Sequence, residues 1–176
     1  ESSKAGFNEY WEFKRRGLHC FQCSLMLKAL QRFENKKITV VDIGDSAGTH
    51  MSYLKILAPR ECSIDSISVN LDIRAIEKIR QRGLKAMLCR AEDLDLQDNR
   101  VDMYTSFQMI EHLHNPALFF RNLAKKSKCN VMVITVPYLK SSRVGLHHTR
   151  NSDGKVFFAE DEHIFELSPE DWTLLL

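Results

Sequence analysis

The chain has 176 residues, of which 44% are hydrophobic and 27% are charged, and its formal net charge at pH 7 is only +2. This composition is typical of one globular domain with a sizeable core, and the near-neutral charge indicates no particular partner. No apolar run approaches the roughly 20 residues that a membrane-spanning helix needs, so we expect no membrane span.

The first predicted element is a helical segment, within residues 1–37, that packs on the rest of the chain. Residues 1–7 are expected to be a loose lead-in, and a helical pattern runs from about Asn8 to Phe33. We expect Gly17 to split this pattern into two helices. The apolar residues that recur near helical spacing are Trp11, Leu18, Phe21, Leu25, Leu30 and Phe33.

Basic side chains give the polar side of this segment a positive charge. A solvated helix face is the simpler interpretation, and a surface for nucleic acid or an anionic substrate is the alternative. The basic residues are Lys14, Arg15, Arg16, Lys28 and Arg32.

Strand and helix signals alternate from residue 38 to residue 136. The predicted strands are Ile38–Ile43, Ser66–Leu71, Lys85–Cys89, Val101–Ser106 and Asn130–Val136, and the predicted helices are Thr49–Leu57, Ile73–Arg82 and Pro116–Lys126. Apolar strands that alternate with helices predict an α/β fold with a doubly wound, mainly parallel sheet that is covered on both faces.

A polar, turn-rich stretch at about residues 138–158 interrupts this alternation, and loops of this length are often lids or binding loops. Short strands are expected at Val156–Phe158 and His163–Glu166. Ser168 and the proline after it are a strong helix start. That helix would have barely one turn before Leu176, so we expect the natural chain to continue and the last strands of the sheet to be missing or truncated here.

The five cysteines are odd in number and form no dense disulfide framework, which predicts reduced thiols in a cytoplasmic protein. Cys20 and Cys23 form a C-x-x-C pair inside a helical pattern, and no further zinc ligands follow nearby. We interpret both as buried packing thiols.

The stretch from Ile38 to His50 organises the chain, because a β-branched strand feeds directly into a glycine turn and then a helix. Asp42 ends the strand, and Gly44 and Gly48 lie in the turn. Such a turn lets backbone approach a ligand at the carboxyl edge of a sheet, which favours a nucleotide site. A nicotinamide-binding turn is disfavoured because a third glycine in register is missing.

Five segments in order resemble the motifs of the class I S-adenosylmethionine-dependent methyltransferases. They are the glycine turn at Val41–Gly48, Ala91–Leu94, the stretch Val101–Pro116 with its Glu-His-Leu-x-x-Pro ending, Val133–Pro137, and Glu162–Trp172. The resemblance covers about residues 38–172 and implies a Rossmann-like methyltransferase domain over residues 38–176. It also implies S-adenosylmethionine as the cofactor and S-adenosylhomocysteine as the product.

The resemblance assigns cofactor contacts to positions of this chain. It implies that the glycine turn lies beneath the methionine part of the cofactor and that the end of the second strand contacts the ribose. It also implies that a segment after the third strand flanks the adenine and that a residue after the fourth strand contacts the cofactor. These residues are Asp42, Gly44, Ser46 and Gly48 for the turn, Asn70 and Leu71 for the ribose, Ala91 and Glu92 for adenine, and Gln108.

Histidines are the candidate catalytic residues, since a hydroxyl acceptor needs a base that removes its proton. His112 follows the fourth strand, where the acceptor should approach, and the resemblance places His163 in a segment that folds over the acceptor. A structural role is the alternative for each. His147 and His148 form a pair in the proposed lid, but no third ligand stands at a defined spacing, so no metal site is predicted.

The leading hypothesis is a methyltransferase that acts on an oxygen or nitrogen of a small, possibly sugar-like molecule. Departures from the family pattern motivate an alternative, a non-catalytic binding or scaffold protein on a degenerate fold. The departures are Ser46, Asn70, Arg90 and Cys129 with Asn130. An RNA methyltransferase that uses the basic helix is a further alternative, although a nucleic acid partner is not favoured. DNA base methylation is disfavoured, because the motifs for adenine and cytosine methylation do not follow the fourth strand.

Overall fold

The fold is a sheet with helices on both faces, as a computed structural model describes it for residues 9–96, 100–129, 131–144, 149–150, 156–157 and 162–176. The helices are α1 (Glu9–Leu30), α2 (Thr49–Leu57), α3 (Ile73–Gln81), α4 (Pro116–Lys126) and α5 (Pro169–Leu175). The main strands are β1 (Lys37–Ile43), β2 (Ser63–Asn70), β3 (Lys85–Leu88), β4 (Met103–Phe107) and β5 (Val131–Thr135).

The five main strands form one parallel sheet in the order β3-β2-β1-β4-β5. The order reverses between β1 and β4, and in doubly wound sheets the ligand crevice lies at such a reversal, beyond the carboxyl ends of the strands. The predicted Rossmann-like fold is therefore confirmed. Among the described residues this sheet has five strands.

Strand bounds differ from the predictions by a few residues. β2 starts at Ser63 rather than Ser66, because its polar first half pairs with β1 along Lys37 to Val40. β4 runs two residues later than predicted at its start and ends at Phe107. Asn130, the predicted start of the fifth strand, lies outside the described residues. The bounds of α2 and α4 agree with the predictions.

Successive residues of β1 face two separate cores. Val40 packs with α1, α2 and α3, whereas Val41 packs with α4 and α5. This alternation follows from the two-residue period of a strand and explains why β1 reads as a continuous apolar run. The acid Asp42 points to the same side as Val40 and therefore lies beneath α1 and α2.

The first helix is continuous through Gly17, so the predicted break was wrong. A single exposed glycine costs a helix only about 1 kcal/mol, which the remaining turns offset. The predicted apolar face was also wrong at Trp11, Leu18 and Phe21, which are exposed. The buried residues of this helix all lie in its second half, namely Gln22, Cys23, Met26, Ala29 and Leu30, and the ring of His19 contacts that of His50 in α2. Cys23 is thus a packing thiol, whereas Cys20 is exposed.

Two short antiparallel pairs follow the sheet. β6 (Arg143–Val144) pairs with β9 (Phe165–Glu166), and β7 (Thr149–Arg150) pairs with β8 (Val156–Phe157). The short strands expected near residues 156 and 163 are therefore present, although Phe158 lies outside the described residues. His147 and His148 lie outside them as well. Within the described residues, no helix combines the length and apolar character of a membrane span.

Candidate functional site

A cavity of about 740 Å³ opens at the carboxyl edge of the sheet, over the ends of β1, β2 and β4. Its volume lies within the range of small-molecule and cofactor sites. The lining residues that the sequence singled out are Gly44, Asn70, Leu71, Ala91, Glu92, Gln108 and His112. The cavity therefore brings together seven of the predicted site residues, from five separate segments of the chain.

The glycine turn is shaped by two left-handed residues. Gly44 has φ +92°, and a Cβ atom there would lie 2.5 Å from Cγ of Met109. Gly48 has φ +73°, and its Cβ would lie 2.7 Å from Cδ1 of Leu84. L-residues rarely adopt such backbone, so both positions require glycine. Ser46, between them, is exposed and faces away from the cavity.

Asp45 holds this turn from inside. Its Oδ1 accepts hydrogen bonds from the N–H groups of Ala47 and Gly48, at 3.1 and 2.7 Å. Its Oδ2 accepts a hydrogen bond of 2.8 Å from the hydroxyl of Ser68 on β2. The carboxylate is 4% exposed, and protein donors satisfy both of its oxygens.

A polar chain lies beneath the same turn and links α1 to β1. The amide of Gln22 donates to the Thr135 hydroxyl and accepts from Nε2 of His50 at 2.9 Å. Nδ1 of His50 lies 3.5 Å from Oδ2 of Asp42, whose other oxygen accepts a 2.7 Å hydrogen bond from Thr105. Because Nε2 carries a proton for Gln22, a second proton must lie between His50 and Asp42 to avoid facing lone pairs.

The protonation of this pair follows its surroundings. Burial raises the pKa of the Asp42 carboxyl, only partly opposed by the hydrogen bond from His50. Burial alone would lower the pKa of His50, but the hydrogen bond and charge of Asp42, with the charge of Asp45, raise it above its usual 6.5. Asp42 and Gly48 thus support the cavity from below rather than line it.

Asn70, at the end of β2, braces the cavity wall on two sides. Its Nδ2 donates to the carbonyl oxygen of Asp45 at 3.0 Å, and its Oδ1 accepts from the N–H of Asp72 at 2.8 Å. Among the described residues, the hydrogen-bond partner of Oδ1 is this one N–H, which leaves its second lone pair for a ligand. An amide performs this double contact where a carboxylate would lack the donor for Asp45.

The wall next to Asn70 comes from the segment after β3. Ala91–Asp93 forms a single 3-10 turn, and the Arg90 side chain lies 3.7 Å from the carboxylate of Glu92. Arg90, one of the departures from the family pattern, thus pairs with a predicted site residue at the cavity wall.

Gln108 takes a strained backbone at the end of β4. Its φ is +52°, although it is not glycine, and its N–H donates to the carbonyl of Thr135 at 2.8 Å. Left-handed backbone at non-glycine residues costs of order 1 kcal/mol and concentrates at functional sites. The strain turns the chain over the cavity into the 3-10 turn Ile110–His112.

A cluster of an acid and two histidines lies at the far end of the cavity. Nδ1 of His112 donates to the carbonyl of Glu162 at 2.8 Å, and Nδ1 of His163 donates to Glu166 at 3.0 Å. The two rings are 4.7 Å apart between centroids. Glu111 is completely buried beside them, and burial raises the pKa of its carboxyl. His163 does not line the cavity itself but supports His112, which does.

Sequence reasoning assigned no role to four polar residues of this region, the buried Gln22, Asp45 and Glu111 and the partly buried His50. Asp45 and His50 stand inside the glycine-turn stretch, where the resemblance drew attention to the glycines and to Asp42. Glu111 lies inside a recognised motif, but a charged residue next to His112 is expected to be exposed. Only the fold shows that it is buried and that His163 lies near it. Gln22 lies in a helix whose apolar residues show little periodicity, so its burial could not be predicted. Its role becomes visible only through its hydrogen bond with His50.

A family model described as a methyltransferase domain matches residues 41–134, more than half of the chain. The match covers the glycine turn, the adjoining strands and β4. No curated protein matches the chain.

Solved methyltransferase structures share the fold. A sugar N-methyltransferase from a Streptoalloteichus species has 14% identity and a TM-score of 0.66, with 100% of this chain and 85% of that one covered. The YcgJ protein from Bacillus subtilis has 16% identity and a TM-score of 0.64, with 89% and 66% covered. An O-methyltransferase from a polyketide synthase of Brevibacillus brevis, solved with S-adenosylhomocysteine, has 17% identity and a TM-score of 0.63, with 96% and 53% covered. The chain thus spans about half to two-thirds of the last two.

Proposed function

We propose that this chain, which belongs to the methyltransferase domain family, transfers a methyl group from S-adenosylmethionine to a small molecule. The observation that carries the proposal is the cavity over the carboxyl ends of β1, β2 and β4, where the glycine turn, Asn70 and Gln108 meet. The family and its fold support the cofactor, and the acceptor is the finer part of the proposal.

The residues around the cavity fit such a cofactor. The positive φ of Gly44 leaves the turn without a side chain between backbone and ligand. The free lone pair of Asn70 Oδ1 suits a ribose hydroxyl, and Leu71 and Ala91 offer apolar surface to a base. Glu92 supplies an acceptor for an exocyclic amine once it leaves Arg90.

When bound, S-adenosylmethionine supplies an electrophilic methyl group on a positively charged sulfur. The chain's part is to align the acceptor and to exclude water, since methyl transfer is an in-line displacement. His112 offers Nε2 as the basic atom, because its Nδ1 is held by the carbonyl of Glu162. His163 keeps that ring in place. Both histidines therefore serve the acceptor end of the cavity.

The acceptor class follows from these histidines and from similar proteins. A base is needed for a hydroxyl, which must lose a proton, and an amine can be aligned without one. Solved structures that share the fold include a sugar N-methyltransferase and an O-methyltransferase. We therefore propose a small, possibly sugar-like acceptor bound at the His112 end of the cavity. The lid predicted at residues 138–158 lies partly outside the described residues.

One observation favours a second candidate, a binding protein without catalysis. Arg90 forms an ion pair with the carboxylate of Glu92, which is the group that would accept a hydrogen bond from the adenine of the cofactor. Binding of the cofactor must then displace this pair. A cytoplasmic location and a division between residues 1–37 and 38–176 stay predictions.

Calorimetric titration with S-adenosylhomocysteine tests the proposal. We expect the wild type to bind in the micromolar range and Gly44→Val to lose at least tenfold in affinity, because its side chain meets Met109. Gly17→Ala is the matched control, since nothing lies within 4 Å of that glycine. The absence of heat from the wild type at millimolar ligand would overturn the proposal and favour the non-catalytic candidate.

A further inference from the structure

The carboxylate of Glu111 is buried without a hydrogen bond from another described side chain. Glu111 has 0% of its surface exposed, and within the described residues neither Oε1 nor Oε2 has a hydrogen-bond partner. Burying a carboxylate is costly unless it is paired, hydrogen-bonded or bound to a metal. The fold nevertheless fixes the residue firmly, since its backbone carbonyl accepts the N–H of Ile164 at 2.9 Å. This group therefore needs a partner that the described residues do not supply.

The spacing around Glu111 suits a cation. One carboxylate oxygen of Glu111 and one ring nitrogen each of His112 and His163 lie within 4.8 Å of one another. Ligand atoms about 2.0 to 2.2 Å from one metal are at most about 4.4 Å apart. Three such atoms around one ion are at most about 3.8 Å apart as a set, so side-chain shifts of about half an ångström bring them to share one ion.

One ring nitrogen of each histidine is held by a hydrogen bond, which leaves the other to serve as the metal ligand. Nδ1 of His112 donates to the Glu162 carbonyl, and Nδ1 of His163 donates to Glu166. Each neutral ring therefore keeps its lone pair on Nε2. Orientation of a metal-binding imidazole by a carbonyl or carboxylate is the usual arrangement in metal sites. Arg143 in turn lies 2.8 Å from the other oxygen of Glu166 and fixes that carboxylate.

We infer that Glu111, His112 and His163 bind one divalent first-row transition-metal cation. Two imidazoles with one carboxylate favour zinc, iron or manganese over calcium, which prefers oxygen ligands. Three protein ligands leave coordination positions open. Since His112 and Glu162 also line the cofactor cavity, those positions face it.

The ion has a use that rests on the proposed function. A bound cation lowers the pKa of a coordinated hydroxyl. An acceptor hydroxyl bound there gives its proton to water, and its oxygen lone pair forms the new bond to the methyl carbon. The carbon–sulfur electron pair stays on the sulfur, which becomes a neutral thioether. With the ion in place, His112 is a ligand rather than the base.

Metal titration of the chelator-stripped protein tests the site. We expect one Mn²⁺ or Zn²⁺ per chain by calorimetry, with at least tenfold weaker binding in Glu111→Gln and in His163→Gln. Glu166→Gln should weaken binding 10- to 100-fold through His163. His114→Gln is the matched control, because His114 lines the cavity but stands outside the cluster. No metal uptake by the wild type, or unchanged affinity in Glu111→Gln, overturns the inference.

Two further readouts separate this inference from the proposed function and from misfolding. Glu111→Gln keeps the size of a neutral acid, and its circular dichroism and S-adenosylhomocysteine affinity should match the wild type. Metal uptake without binding of S-adenosylhomocysteine contradicts the function and leaves the site standing, and the reverse contradicts the site alone. Bound Mn²⁺ should also speed the relaxation of water protons, because water can occupy its open coordination positions. The absence of this enhancement would contradict the inference that such positions are open.

Discussion

Two buried clusters of acid and histidine frame the cavity, and they are built in opposite ways. Beneath the glycine turn, every oxygen of Asp45 accepts a hydrogen bond, and Asp42 faces both Thr105 and His50. At the far end of the cavity, neither oxygen of Glu111 has a partner among the described residues. The first cluster is closed around Asp45 by protein donors, although Oδ2 of Asp42 and Nδ1 of His50 make only a long 3.5 Å contact. The second cluster is open, because Glu111 receives no such donors.

This difference indicates that the first cluster supports the backbone of the glycine turn, whereas the second can bind a ligand. Protein donors that satisfy a carboxylate fix the backbone around it, as Asp45 fixes the glycine turn. A carboxylate that the fold holds in place without donors is expensive, and such groups concentrate where a ligand completes them. Changing one acid at a time tests this difference.

Asp45→Ala should have the largest effect. It leaves two backbone N–H groups and the Ser68 hydroxyl without their acceptor, and we expect the free energy of unfolding to fall by about 3 kcal/mol. Urea denaturation measures this. Asp65→Ala is the control, since its exposed ion pair with Lys85 should contribute less than about 1 kcal/mol. Equal losses from both variants would mean that Asp45 does not hold the turn.

Gly48→Ala tests the turn from its backbone. The left-handed φ and the approach of Leu84 should cost about 2 kcal/mol of stability. Gly17→Ala should act in the opposite direction and stabilise by about 1 kcal/mol, because Gly17 is an exposed helical residue with space around it. Thermal unfolding compares the two. A shift of the same sign in both would contradict this geometry.

Glu111→Gln should behave unlike Asp45→Ala. Removing a buried acid that lacks partners should leave the stability in chelator unchanged or raised by about 1 kcal/mol. Added Mn²⁺ should then stabilise the wild type but not the variant. Urea denaturation with and without the metal measures both. A loss of about 3 kcal/mol in chelator would place Glu111 with the closed cluster.

The smallest expected effect is a pH dependence from His50 and Asp42. Both pKa values are raised in the folded protein, so the folded state binds more protons than the unfolded state. The contribution of protonated His50 is full below pH 6.5 and is lost as pH rises through its raised value. The free energy of unfolding should therefore fall more between pH 6 and pH 8 in the wild type than in His50→Gln. An equal fall in both would show that His50 does not titrate with folding.

The sequence predicted the sheet well and the polar interior poorly. Apolar runs such as β1 indicate buried strands by their composition alone. The helix cap at Asn115 correctly predicted the start of α4. In contrast, Glu111 and His163 stand more than fifty residues apart, and no local pattern tells that they meet. The break at Gly17 was wrong because one glycine is a weak signal against a long helix. Local signals therefore locate elements, while clusters depend on their packing.

The most direct test of the central claim is a crystal structure of the protein grown with S-adenosylhomocysteine. We expect the ligand between Gly44, Asn70 and Gln108, with its ribose at the Asn70 amide and its base beside Ala91. A ligand bound elsewhere, or a cavity that stays free of it at millimolar concentration, would contradict the claim that this chain is an S-adenosylmethionine-dependent methyltransferase.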